Sequence, residues 1–169
     1  MNGRTRKITF LGIISAVALM LSYVEMLLPP IYAAVPGIKV GLPNIVVLFV
    51  LYRYSFREAA VVSFVRIMLS TLLFGNPIML VYSAAGAALS VVFMWSMKKI
   101  NAFSEVGVSV VGGVMHNLGQ ILVAMFLLET AEIGYYMFVL AVSGTLAGIF
   151  IGLAGAFLLK SMQKKVLTK

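Results

Sequence analysis

The only histidine of the chain, His116, is followed directly by Asn117 and one helical turn later by Gln120, inside the apolar run from Gly107 to Leu128. An imidazole and two amides in five positions can give and accept hydrogen bonds to a polar ligand or to a neighbouring helix. A second outlier is Arg66, set in "FREAAVVSFVRIMLSTLLF". Guanidinium binds carboxylate and phosphate groups well, and at the centre of a membrane span it costs about 2.5–3.5 kcal/mol on insertion scales. At about 1.5 Å per residue, Arg66 lies roughly 12 Å beyond Glu58 and His116 roughly 13 Å beyond Gly107, which puts both near mid-membrane. Gln120 shares the face of His116, whereas Asn117 points about 100° away and suits a bond to another helix. Glu25, Lys39, Asn44 and Asn76 fall near the outer level of the same column. Such a column could line a cavity open to the outside. Two structural alternatives compete with it. Arg66 could snorkel or pair with Glu25 or a carbonyl, and the three polar side chains of the fifth span could be interhelical hydrogen bonds.

The elements that must position these groups follow from composition. Of 169 residues 62% are hydrophobic and 11% charged, against about 45–50% and about 25% in soluble domains. The bilayer is the natural solvent for such a chain. Cysteine and aspartate are absent and histidine occurs once, so thiol chemistry and a conventional protein-borne metal centre are excluded, and no cofactor is indicated. The net charge of +8 is better explained by cytoplasmic retention and anionic lipid than by nucleic acid.

Apolar length and punctuation predict an all-α membrane protein, a single domain over residues 1–169, with six spans at about 8–28, 44–54, 58–74, 78–97, 107–128 and 135–159. The first span reads as a retained anchor. Pro29-Pro30 and the proline- and glycine-rich stretch to Pro43 read as a loop or re-entrant segment that could lid the pocket. With the N-terminus inside, the inner loops collect Arg4, Arg6, Lys7, Arg53, Arg57, Lys98, Lys99 and the lysines of the tail, and the outer loops only Lys39. This asymmetry puts both termini in the cytoplasm and the protein in the bacterial cytoplasmic membrane.

Small residues mark helix faces where backbones can approach closely. They recur as Gly144, Gly148 and Gly152 in the last span, as "SAAGAALS" in the fourth, and as Gly12, Ala16, Ala18 and Ser22 in the first. Each could serve packing within the chain. The set on the first span could instead dock a partner membrane subunit.

Three stretches, "PGIKVGLPNIVVLFVLY", "SFREAAVVSFVRIMLSTLLFG" and "GGVMHNLGQILVA", resemble the bacterial membrane family called heptaprenyl diphosphate synthase component I, or Gx transporters. The resemblance runs from about residue 8 to 159, and His116-Asn117-Leu118-Gly119-Gln120 is its most specific part. That family in turn resembles the six-helix S components of energy-coupling factor (ECF) transporters. The S-component likeness implies an outward-facing pocket for a small anionic, isoprenoid-like or quinone- or flavin-related ligand. Arg66 and His116 would form its base, Gln120 its wall, Lys39 and Asn44 its mouth, with Asn117 and Glu25 beside them. It also implies that Gly12, Ala16, Ala18 and Ser22 meet a coupling membrane subunit served by separate ATPases. The component I name implies instead a non-catalytic membrane subunit beside a soluble prenyl synthase. Prenyl synthases resemble one another in holding magnesium diphosphate on aspartate-rich motifs, and a chain without aspartate cannot supply one. The first reading is the leading expectation from sequence, the second its alternative.

Overall fold

The computed structural model describes residues 2–28 and 41–167, with side chains through residue 162. Six α-helices account for nearly all of it: α1 (Gly3–Leu27), α2 (Asn44–Arg53), α3 (Phe56–Phe74), α4 (Pro77–Ile100), α5 (Glu105–Leu127) and α6 (Met137–Leu167), with a 3₁₀ turn at Ala131–Tyr136 before the last. No strand occurs among the described residues.

The ends of the helices are written locally. Ser55 caps the start of α3, accepting from the Arg57 amide at 3.2 Å while its hydroxyl donates to Glu58. Asn76 accepts from the Met79 amide at 2.8 Å, and Pro77 fills the first position of α4, where a missing N–H costs nothing. Ser104 caps α5 through the Gly107 amide at 3.2 Å. Asn101, at φ 58°, ends α4 in the left-handed conformation that asparagine tolerates.

Packing places α2 at the centre. It touches α1, α3, α4, α5 and α6, and every side chain from Val46 to Leu51 is buried. A helix that is apolar all round is a core helix. At ten residues it rises only about 15 Å, half the thickness of a bilayer's hydrocarbon core. Lys98 donates to the Leu51 carbonyl at 2.6 Å, satisfying the C-terminal end of α2. α1 lies at the edge, against α3 and α2 only, where Lys7 and Glu58 form an ion pair.

α5 and α6 share the closest seam. A Cβ on Gly113 would stand 2.4 Å from the Gly144 carbonyl oxygen, and one on Gly148 would stand 2.5 Å from the Val110 Cα. The glycine stripe of α6 is therefore consumed inside the chain.

Four helical segments, Gly3–Leu27, Pro77–Ile100, Glu105–Leu127 and Ala131–Met162, are long and apolar enough to cross a membrane. Outward-facing Leu72, Phe126, Phe150 and Phe157 are 80%, 82%, 73% and 71% exposed, a density of bare apolar side chains that water does not tolerate and lipid does. The protein is a membrane-associated, all-helical protein. Six helices occur at the expected places, four of them long and apolar enough to cross a membrane, beside the charged α3 and the short α2.

Candidate functional site

The polar residues singled out by sequence converge on the N-terminus of α2. Gly41, with φ +89°, turns the chain into that helix in a conformation that side chains disfavour. Its amide and that of Leu42 both donate to Glu25 Oε1 of α1, the latter at 3.1 Å. A carboxylate at this point meets the free N–H groups and the positive end of the α2 dipole. Glu25 is 6% exposed and was read from sequence as a lining residue; its amide bonds make it the anchor that ties α1 to α2.

Arg66 reaches the same level from α3. Its Nη1 lies 3.5 Å from the Ser22 hydroxyl, and the charge of Glu25 acts on it. Its side chain is 5% exposed, so it does not snorkel. Nε and Nη2 have no hydrogen-bond partner among the described residues.

His116 packs from α5. Its ring lies against Gly41 and Gly86, where an added Cβ would meet ring carbon Cδ2 at 3.5 Å and ring nitrogen Nδ1 at 3.0 Å respectively. Asn44, 3% exposed, sits beside Gly41. Gln120 is fully buried one turn beyond His116. Asn117 turns away from this cluster, and its Nδ2 donates to the Leu140 carbonyl of α6 at 2.8 Å. Asn117→Ala is expected to cost about 0.6 kcal/mol, and at most about 1.7, in an SDS-titration unfolding measurement.

Lys39 lies outside the described residues, as does the segment 29–40 expected to lid a pocket. The four residues assigned to docking do not share a face. Gly12 and Ala16 are exposed, with open space around a Cβ on Gly12. Ala18 is fully buried and Ser22 is 2% exposed beside Arg66. Ala18 and Ser22 thus belong to the interior, because a residue six positions beyond Gly12 lies about 240° around the helix.

Two features escaped the sequence reading. Buried serines, Ser63, Ser90 and Ser109, have hydroxyls without a hydrogen-bond partner among the described residues. A groove of about 360 Å³ also runs between α3 and α4, lined by Phe56, Ala60, Ser63, Ala84 and Ala88 among others. The small residues of "SAAGAALS" were its visible signal, taken then as packing alone. They divide: Gly86 and Ser90 face α5, while Ala84 and Ala88 are exposed along the groove.

Chemically, the cluster at α2 is a compensated arrangement. One buried cation, one buried anion and one helix N-terminus offset one another, with an imidazole packed alongside. Here Glu25 already holds the amide donors.

Residues 14–158 match the family described as heptaprenyl diphosphate synthase component I. The chain belongs to this family. The match starts within α1 and ends within α6, so Glu25, Arg66 and His116 all lie within the matched residues. No curated protein and no solved structure matches the chain.

Proposed function

We propose that this chain is the non-catalytic membrane component of a two-part heptaprenyl diphosphate synthase, working beside a soluble catalytic chain. The observation that carries the reading is the family match over residues 14–158 in a chain that contains no aspartate. Diphosphate chemistry on magnesium needs carboxylates, and the catalytic set must come from a partner. The membrane component receives or anchors the apolar product as it lengthens. It forms one domain in the bacterial cytoplasmic membrane with both termini inside. α3 crosses beside the four long helices, turning Arg66 inward, and α2 inserts as a half-length helix. The tagged protein, gently extracted from its own membrane, is expected to carry a soluble, aspartate-rich prenyl synthase with it. Retention of ATPases and a coupling membrane subunit in its place would overturn the reading.

A second reading, ligand capture in the manner of an S component, draws its support from Arg66, whose Nε and Nη2 have no partner among the described residues. Arg66, His116 and Gln120 would then hold a small anionic or cofactor-like ligand, with Asn44, Glu25 and Lys39 above them and Asn117 at the side. Gly12 and Ala16 would face a coupling subunit. Native mass spectrometry tests it: a defined anionic ligand present in the wild type and lost in a folded Arg66→Ala variant is its signature.

A further inference from the structure

We infer that the groove between α3 and α4 is the slot for a linear isoprenoid chain whose diphosphate head sits at the Phe56–Trp95–Lys99 end, an assignment that rests on the component I reading. From Phe56 to Met68, both on the groove's wall, α3 rises about 18 Å. Its volume of about 360 Å³ falls within the usual range for small-molecule sites, about 300–1,000 Å³.

Its shape suits a branched chain. Ala84 and Ala88 form two shallow bays one turn apart on α4, with Ala60 on the opposite wall. Residues four apart on a helix are separated by a rise of about 6 Å, of the order of one isoprenoid unit. Methyl branches of an all-trans isoprenoid recur every four carbon–carbon bonds, about 5 Å in zigzag. A straight acyl chain has no groups to place in such bays.

Two further observations point to a ligand rather than to loose packing. Ser63 lines the groove, is 4% exposed, and its hydroxyl has no hydrogen-bond partner among the described residues. A hydroxyl left unsatisfied in hydrocarbon is costly. The double bonds of an isoprenoid offer π acceptors, which a saturated chain lacks. Phe56, at one end of the groove, packs at a tilt against Trp95 with ring centroids 5.1 Å apart, and Lys99 Nζ lies 4.0 Å from the Trp95 centroid. An apolar slot ending in an exposed ammonium is complementary to an apolar tail with an anionic head. On the proposed topology that end faces the cytoplasm, where a soluble synthase would release its product.

Trp95 is the only tryptophan of the chain, so its emission reports on this end of the groove. The experiment is titration of geranylgeranyl diphosphate into the full-length protein in nanodiscs, followed by tryptophan fluorescence. A saturable change is expected, weakened about tenfold or more in Ala84→Leu and Ala88→Leu. Both side chains are exposed, so filling the bays leaves the interior intact, and an unchanged thermal melt verifies this. Lys99→Gln is expected to weaken binding of the diphosphate and leave binding of geranylgeraniol unchanged. Equal binding of hexadecyl diphosphate, which marks a general acyl-lipid slot, overturns the inference. So does wild-type affinity in Ala88→Leu, or the absence of a saturable change. If the titration fails while the soluble synthase still copurifies, the groove assignment falls and the component I reading stands. Loss of copurification removes that reading instead.

Discussion

Glu25→Gln is expected to lower stability by about 1–3 kcal/mol, the range for weakening the hydrogen bonds made by a buried charged group. The glutamine keeps the shape of the side chain and one carbonyl oxygen for the Gly41 and Leu42 amides. What it removes is the negative charge that offsets Arg66, which is 5% exposed with only Ser22 as a hydrogen-bonded neighbour among the described residues. An arginine left uncompensated at that depth must draw in water, pull toward the interface or force the helices apart. The decisive comparison is the double variant Glu25→Gln/Arg66→Met. With the guanidinium gone no buried cation is left uncompensated, so the double variant should recover the part of the loss that comes from Arg66. SDS-titration unfolding of the two single variants and the double variant measures the coupling. Additive losses would mean that Arg66 and Glu25 act separately, and Arg66 would then return to consideration as a ligand-facing cation.

That pair also shows where sequence reasoning reached and where it stopped. The helix ends that were legible have local signals: Asn76 with Pro77 at the start of α4, and lysines 98 and 99 in its last turn. Arg66 and His116 were expected at a common depth, a matter of counting residues from the spans' ends. The partnership of Glu25 with the α2 amides was not legible. It depends on how a turn at Gly41 meets the far end of α1, across sixteen positions of sequence, and no periodicity encodes that meeting. The central burial of α2 was missed for a related reason. Its apolar run is the same string whether it faces lipid or other helices, and only its length of ten residues hints that it cannot span. The division of the first-helix set is different again. Gly12 with Ala16 and Ala18 with Ser22 are each one turn apart, but the pairs lie on different sides, which a helical wheel already separates. The sequence places them on adjoining faces, and the structure leaves the first pair exposed and the second buried.

Glycine offers the sharpest contrast between a buried seam and an open face. Gly113→Ala is expected to destabilise the protein by about 1–3 kcal/mol, the usual cost of overpacking, because the new methyl group would stand 2.4 Å from the Gly144 carbonyl oxygen. Backbone on one helix faces backbone on the other, so no flexible side chain can swing aside. The seam must open instead, and the Asn117 bond to Leu140 opens with it. Gly12→Ala, in α1 with nothing within 4 Å of its added Cβ, should be stabilising by about 0.5–1 kcal/mol through the backbone entropy of glycine. Thermal unfolding of the two variants in the same lipid checks both signs. The Gly12 variant carries a second readout. If that face of α1 is bare lipid surface, Gly12→Leu should leave every copurifying partner in place. Were a partner lost while the fold and its melting temperature persist, the exposed face of Gly12 and Ala16 would be an interface, and the weight of the functional argument would move from the α3–α4 groove to the outer side of α1.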